Sequence, residues 1–202
     1  MSKRAITHLR GDPIMFGLIE KVGPIRFRAR RHPLFQALSR SIIYQQLSGK
    51  AAGTILGRFE ALFEGGDYPA PQLVAKASLE RLRSAGLSRP KATYIIELAQ
   101  HCEAGLIPSL EECDAMTDEQ LIARLTEIKG IGRWTVEMLL MFNLGRPDVL
   151  PTGDLGVRRG FQIAYGKRKL PEPEHLAEHG LRWAPHRTMA ARYLWRAADA
   201  KD

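Results

Sequence analysis

Cysteine is scarce in this sequence, and long apolar runs are missing. Only Cys102 and Cys113 occur among its 202 residues, too few for a disulfide framework, so we expect both as reduced thiols. His175 and His179 have an i,i+4 spacing, but no suitable third ligand lies nearby, which argues against a zinc site. No apolar run reaches the roughly 18 residues that cross a bilayer. Because the basic start of the chain also has no apolar segment like that of a secretory signal, we expect a cytoplasmic protein.

Alternating strand patterns are absent as well. Apolar residues recur at helical spacing between short Gly and Pro interruptions. Thr117 and Gln120 have the positions of a capping box and predict a helix that ends at the hairpin after residue 128. Other helices are predicted over about residues 33–48, 50–63, 78–86, 88–105, 133–143 and 154–166, with a further segment opening at 171–173 and a last helix ending near 198. The sequence therefore predicts an all-α protein.

Basic charge is concentrated at both ends of the chain. Residues 1–50 hold ten Lys and Arg against two acidic residues, residues 51–140 hold nine against thirteen, and residues 141–202 hold eleven against seven. This distribution suits a protein that presents a positive face to nucleic acid, while a solvated basic surface is the alternative. The densest cluster has the same two interpretations and comprises Arg26, Arg28, Arg30 and Arg31.

The most specific motif is a glycine hairpin between two amphipathic segments, LTEIKGIGRWT over residues 125–135. Gly130 and Gly132 flank Ile131 and allow a tight turn with close approach of a ligand to the backbone. Amides at the start of the next helix favour an anion, and Arg133 adds positive charge. The pattern is typical of a helix-hairpin-helix (125–143), whose amides bind a DNA phosphate without reading sequence. An ordinary αα-hairpin that needs glycine only for its turn is the alternative.

Several segments together resemble the helix-hairpin-helix DNA glycosylases, most closely the alkylation-repair branch typified by 3-methyladenine DNA glycosylase II. The matching segments occur in the family's order and are SIIYQQLS (41–48), IKGIGRW (128–134), RPDVLP (146–151), LPTGD (150–154) and RWAPHR (182–187). The resemblance implies an all-α fold of two lobes with the active site in the cleft between them. Residues 31–146 are expected to form the lobe that carries the hairpin, and residues 1–30 with 147–202 the other lobe.

The implied activity is that of a monofunctional glycosylase in base excision repair. Such an enzyme flips alkylated bases of the 3-methyladenine and 7-methylguanine type from duplex DNA and hydrolyses the N-glycosidic bond. We expect damaged double-stranded DNA as the partner, a monomer, and a nucleoid-associated location. The alternatives are a glycosylase for deaminated or oxidised bases and a non-catalytic helix-hairpin-helix module, which would need no carboxylate facing DNA.

Asp154 matches the family's catalytic aspartate. Glycosidic cleavage passes through an oxocarbenium-like sugar, and a nearby carboxylate can stabilise that charge and orient or deprotonate the attacking water. An aspartate in this position is equally suited to cap the helix that follows. Both roles can hold at once, because a helix start fixes the carboxylate.

Trp134 occupies the position at which strand-cleaving members of the family have a Schiff-base lysine, so the resemblance implies hydrolysis without lyase activity. Trp134 and Trp195 match aromatic positions of the base pocket, and Tyr44 is a further candidate. An indole face attracts a cationic methylated base by about 0.5–2 kcal/mol. A tyrosine typical of the family corresponds to Met138 here, which predicts a more open pocket.

The family fills the hole left by a flipped base with a side chain from the loop after an early helix, and Leu47, with Gln46 beside it, matches that region. An apolar wedge between base pairs is physically reasonable, and a place for Leu47 in the core is the alternative. No cofactor is expected to be required. Family members often hold a monovalent cation, Na or K, on hairpin carbonyls, which here would be those of Thr126, Ile128 and Ile131.

Overall fold

The structure, a computed structural model, describes residues 3–65 and 68–200, and within these ranges the chain forms helices and no strand. This confirms the predicted all-α class. The described residues divide into two compact units. The first unit holds the residues up to Arg30 and those from Leu140 onward, and the second holds the residues from Arg31 to Leu139. From the sequence, the second unit is expected to end at residue 146. In the structure it ends at Leu139, inside a helix, because residues 140–144 pack within the first unit.

Helices account for most of the described chain. In chain order the α-helices are α1 (Lys3–Leu9), α2 (Pro13–Val22), α3 (Leu34–Tyr44), α4 (Gly49–Ala61), α5 (Pro71–Ala75), α6 (Leu79–Ser84), α7 (Arg89–Glu103), α8 (Leu110–Ala115), α9 (Asp118–Thr126), α10 (Arg133–Met138), α11 (Leu155–Ala164), α12 (Pro173–Gly180) and α13 (Arg187–Asp199). A π-helix, Leu139–Leu144, continues α10, and a short 3₁₀ helix, Leu181–Trp183, follows α12. Among the described residues, no helix is long and apolar enough to span a membrane.

Helix starts follow the sequence closely, because most are capped by a Ser, Thr or Asp side chain. Thr117 accepts from the amide of Gln120, whose side chain accepts from the Thr117 amide, which confirms the predicted capping box. A second box joins Ser109 and Glu112 at the start of α8. That helix was not predicted from the sequence, nor were α1, α2 and α5.

Two predicted helices end differently in the structure. The first stops at Tyr44 and not near residue 48, because Gln46 has a φ of 56°, outside the right-handed helical region. The helix predicted over residues 133–143 is α-helical only to Met138 and then widens into the π-helix. Single π turns inside helices are rare and are frequent at functional sites.

The centre of the first unit is the packing of α11 against α13. Gly160 on α11 makes this approach possible, because a Cβ there would collide with the backbone of Leu194. Val157 and Phe161 on α11 are fully buried, as is Tyr193 on α13. The start of α11 is therefore held firmly within its unit. In the second unit the longest helix, α7, packs against α3, α5 and α6.

The carboxylate of Asp12 accepts four hydrogen bonds within the first unit. It caps α2 through the amides of Ile14 and Met15, and its Oδ2 accepts from the Tyr165 hydroxyl at 2.6 Å and from the Trp183 indole at 3.2 Å. Burial raises the pKa of Asp12, but these hydrogen bonds outweigh the burial and hold the pKa below its usual value.

Asp12→Asn is expected to lower the free energy of unfolding at pH 7 by about 1.5–3 kcal/mol, because the amide NH2 that replaces one carboxylate oxygen cannot accept from that oxygen's two donors, and the remaining bonds lose their charge assistance. A carboxyl with a depressed folded pKa stabilises the protein above its unfolded pKa of about 4, and this contribution disappears as pH falls through the folded value. Urea unfolding of both proteins from pH 7 to pH 3 measures it. The difference in unfolding free energy between wild type and Asp12→Asn should be constant near neutrality and shrink in acid. A difference that is the same at every pH would contradict the prediction.

Candidate active site and nucleic-acid interface

Asp154 is the N-cap of α11 and is half-buried. Its Oδ1 accepts from the amide of Val157 at 2.8 Å and from the indole Nε1 of Trp195 at 2.8 Å. The first bond is the ordinary capping bond that a helix start requires. The second comes from α13 and fixes the carboxylate from another direction. Capping thus takes place as the sequence allowed, and it holds the carboxylate of Asp154 in one orientation.

The indole of Trp195 is itself held in place by its neighbours. One face stacks on Phe142 of the π-helix, with ring centroids 5.8 Å apart and an angle of 27° between planes. Gly156 leaves room for the indole, because a Cβ at that position would lie 2.8 Å from Trp195 Cδ1. Phe142 also meets Phe27 edge-on at 5.9 Å. The indole therefore acts as a rigid support for the Asp154 carboxylate within the first unit.

The loop between the π-helix and Asp154 is fixed by side chains from the start of α13. Thr188 is buried, donates from Oγ1 to the carbonyl of Arg146 and accepts from the amide of Val149. Asp148 accepts from Arg187 Nε at 2.8 Å and Nη2 at 2.9 Å, and although burial raises the pKa of Asp148, these bonds hold it below the usual range. Each bond limits the freedom of the backbone that leads into Asp154.

The predicted hairpin lies in the second unit, between α9 and α10. Gly130 has a φ of 84°, and a Cβ there would collide with the ring of Tyr94. Glycine is thus required at this position both for its backbone conformation and for the space it leaves. Ile131 is buried, whereas Gly132, the N-cap of α10, is exposed. The hairpin therefore anchors itself by one apolar side chain and leaves its second glycine open to solvent.

Arg133 is more engaged than the sequence suggests. Its guanidinium donates to Glu119 through Nη2 at 2.7 Å and to Glu137 through Nε at 3.1 Å, and hydrogen bonding to Glu119 raises the pKa of Arg133 further. Two carboxylates thus balance its charge. A role in DNA binding consequently falls more to the backbone amides at the start of α10 than to this side chain.

Most of the predicted pocket and wedge residues of the second unit are exposed. Trp134 is 47% exposed and Tyr44 is 38% exposed, while Met138 is half-buried on the same face of α10 as Trp134, four residues away. Leu47 is 40% exposed, so the alternative that it belongs to the core is wrong. Gln46 beside it is exposed too.

The arginine cluster divides between the two units. Residues 23–30 have no regular secondary structure, and Arg26, Arg28 and Arg30 are exposed at every second position. Phe27, between the first two, lies under the guanidinium of Arg192 at 4.6 Å from the ring centroid. Arg31, in the second unit, instead forms a bidentate ion pair with Asp114. Three of the four arginines therefore form a basic row.

Residues 39–186 match the family model described as the HhH-GPD superfamily base excision DNA repair protein. The chain belongs to the HhH-GPD superfamily. The DNA-3-methyladenine glycosylase 1 of Schizosaccharomyces pombe is 39% identical to it over 203 residues, covering 98% of this chain and 89% of that protein.

Solved structures with the HhH-GPD fold resemble this chain over nearly its whole length. The 3-methyladenine DNA glycosylase of Schizosaccharomyces pombe, in complex with abasic DNA, gives a TM-score of 0.88 at 38% identity and covers 98% of this chain and 100% of that one. A DNA-3-methyladenine glycosidase from Bacillus halodurans gives a TM-score of 0.87 at 40% identity, covering 98% of this chain and 90% of that one.

The HhH-GPD match contains the hairpin and Asp154 but ends before Trp195. Sequence reasoning assigned Trp195 to the base pocket, and the structure adds its hydrogen bond to Asp154. Phe142 was missed altogether, because an aromatic residue inside a helical pattern is ordinarily read as core. Lys91 and Gln45 were also missed, and their contacts join distant parts of the sequence.

The carbonyls that the resemblance implies for a monovalent cation, those of Thr126, Ile128 and Ile131, belong to the last residue of α9 and to the hairpin that follows it. Thr126 ends α9, and Ile128 follows it by two residues. The C-terminal end of a helix favours a cation, because its last carbonyls lack helical partners and carry partial negative charge. The Ile128 carbonyl accepts from the amide of Ile131, which leaves a second lone pair for an ion. Carbonyl oxygens are the donors that a hard cation such as Na or K prefers.

Proposed function

We propose that this chain is a monofunctional DNA glycosylase that removes alkylated bases, of the 3-methyladenine and 7-methylguanine type, from duplex DNA in base excision repair. The observation that carries the proposal is the Asp154 carboxylate, fixed by the Val157 amide and the Trp195 indole in a member of the HhH-GPD superfamily. The names of its relatives in yeast and Bacillus support the alkylated-base substrate.

The chemistry requires little more than a well-placed negative charge. A base methylated at N3 or N7 is cationic, so cleavage of the bond to C1′ sends the electron pair to the base, which leaves neutral. Positive charge then develops on the sugar, where the carboxylate of Asp154 stabilises it. Water adds to C1′ and gives its proton to the carboxylate or to solvent. No general acid is needed, because the leaving group is already charged.

DNA binding is assigned to backbone amides and to the basic row. The amides of Gly132 and of the first turn of α10 bind a phosphate, and a cation on the carbonyls of Thr126, Ile128 and Ile131 would add positive charge beside it. Arg26, Arg28 and Arg30 supply further phosphate contacts along their exposed segment.

Base eversion is assigned to the exposed side chains of the second unit. Leu47 and Gln46 enter the stack as the damaged base leaves, which offsets part of the few kcal/mol that flipping costs. Trp134 contacts the flipped base with its indole face, and Tyr44 and Met138 are further base contacts. The expectation of a monomer acting on chromosomal DNA, in the cytoplasm at the nucleoid, forms part of this proposal.

Lyase chemistry is not expected, because a tryptophan replaces the lysine nucleophile and two lysines of the second unit, Lys129 and Lys91, are engaged elsewhere. Trp134 occupies the lysine position of the strand-cleaving relatives. Lys129 pairs with Glu97 at 3.4 Å. Lys91 donates to the carbonyls of Ile43 and Gln45. A free neutral amine is what Schiff-base formation needs, so hydrolysis is the expected outcome.

The proposal is tested by incubating DNA that carries 3-methyladenine, 7-methylguanine, uracil or oxidised guanine with the protein and identifying the bases released. Release of the methylated bases, with strand breaks appearing only after alkali, is the expected result. Preferential release of uracil or oxidised guanine would assign another lesion class. Binding without any release would favour a non-catalytic module, and nicks before alkali would contradict the monofunctional assignment.

Trp195→Phe is expected to slow base release about tenfold in a single turnover, since the stack on Phe142 is kept while the hydrogen bond to Asp154 is lost. Quenched-flow release of 7-methylguanine from duplex DNA measures the rate. Trp183→Phe is the matched control, because that indole bonds Asp12 instead. Its rate of base release should stay near that of the wild type, and an unchanged rate for Trp195→Phe would contradict the prediction.

A further inference from the structure

The connection between α3 and α4 is short and has an unusual conformation. Gln45 is the C-cap of α3, Gln46 has a φ of 56°, and Ser48 already caps α4. A non-glycine residue in the left-handed region is strained and persists only where its surroundings hold it. We refer to residues 45–47 as the eversion loop, since Gln46 and Leu47 are assigned above to the wedge.

Lys91 holds this loop from the side of α7. Its ammonium Nζ donates to the carbonyl of Ile43 at 2.9 Å and to that of Gln45 at 2.5 Å. These carbonyls lie at the C-terminal end of α3, where helical partners run out and a cation is favoured. Lys91 is half-buried, and this burial lowers its pKa. The side chain is thus directed at the backbone of the loop and not extended into solvent.

The same face of α7 also supports the hairpin. Tyr94, three residues after Lys91, fills the space beside Gly130 that a Cβ would otherwise occupy. The side chain of Gln45 then joins the two elements directly, because its Nε2 donates to the carbonyl of Gly130 at 2.9 Å. One helix face and one amide therefore connect the loop that enters the base stack with the hairpin that binds the phosphate.

We propose that Lys91, acting with Gln45, is a positioning residue that holds the eversion loop at a fixed distance from the hairpin. The inference rests on the proposed function and deepens it. When the hairpin is bound to a phosphate, a rigid loop places its wedge side chains at one base step. A loosely held loop would instead lose conformational entropy each time a base is everted. Lys91 then matters for a paired lesion and hardly at all for a lesion that is already unpaired.

Lys91→Met tests this, because it keeps an unbranched side chain of similar length and removes the donors. Single-turnover release of 7-methylguanine is measured opposite cytosine and opposite a one-nucleotide gap. We expect a loss of about tenfold or more on the paired substrate and of less than about threefold at the gap, where eversion costs little. Lys91→Arg should recover most of the paired activity. Gln45→Met, which loses only the bond to Gly130, should also lower the ratio of paired to gapped activity. It takes the place of Lys91→Met in the test if that variant does not fold.

Arg81→Met is the matched control. Arg81 donates to the carbonyl of Leu62 at the end of α4, so the substitution also removes one positive charge and one helix-end contact in the same unit. It should leave the ratio of paired to gapped activity unchanged. An equal loss on both substrates for Lys91→Met, or no loss on either, would overturn the proposal.

Hydrogen exchange separates failure of this inference from failure of the proposed function. In DNA-free Lys91→Met, amides of the eversion loop and of residues 129–132 should exchange at least about tenfold faster, while Arg81→Met should not change them. A wild type that releases no methylated base would overturn the proposed function, and exchange would still decide whether Lys91 couples loop and hairpin. Unchanged exchange in Lys91→Met would refute that coupling.

Discussion

Asp154→Asn is expected to reduce the single-turnover rate of base release by a factor of roughly 10³, the upper end of what one preorganised electrostatic group supplies. The reason is the loss of negative charge beside the developing oxocarbenium ion. Asparagine caps helices about as well as aspartate, and its Oδ1 can still accept from Val157 and Trp195, so stability should change little. Affinity for DNA should be equal or tighter, because one charge that repels phosphates has gone. Quenched-flow release and fluorescence anisotropy measure the two effects.

Asp12→Asn is the matched control for this substitution. Asp12 is also an aspartate N-cap that accepts from a tryptophan indole, but its side chain is only 7% exposed and its partners belong to the interior of the first unit. The folded variant should release bases at nearly the wild-type rate despite its lower stability. Comparable rates of base release for wild type and Asp154→Asn would remove the Asp154 carboxylate from the mechanism.

Gly160→Ala is expected to destabilise the protein by about 3 kcal/mol or more, the upper range for overpacking. The added Cβ would collide with the backbone of Leu194, and a backbone cannot rotate away as a side chain does. Relief requires α11 to move from α13, which would also lengthen the contact between Asp154 and Trp195. Urea unfolding measures the free energy, and base release by the folded fraction measures the displaced carboxylate.

Gly17→Ala is a control for which we expect a change in the free energy of unfolding of the opposite sign. Gly17 lies within α2 of the same unit, is exposed, and has nothing within 4 Å of the position a Cβ would take. Alanine there should raise the free energy of unfolding by about 0.5–1 kcal/mol, because it restricts the unfolded chain and favours the helix. Similar changes in both variants would show that helix propensity, and not the approach of α13, decides the effect at Gly160.

Local signals in the sequence were sufficient for most of the helices. Caps such as Thr117 and Ser88 and the glycine hairpin act over three or four residues, so their outcome needs no knowledge of the rest of the chain. The π-helix and the turn at Gln46 were missed for the complementary reason. Each is an irregular backbone segment with contacts to residues far away in the sequence. In the π-helix, Phe142 stacks on Trp195, and beside Gln46 the carbonyl of Gln45 accepts from Lys91.

What the sequence determined by itself is the helical class, the hairpin glycines and the helix cap at Asp154, since each depends on residue types at short, fixed spacings. Only the tertiary structure decided what holds these parts: Trp195 on Asp154, Tyr94 on Gly130, and the ion pairs that occupy Arg133. Such partners lie far apart along the chain, and no local pattern encodes a pairing that arises when packed helices bring them together.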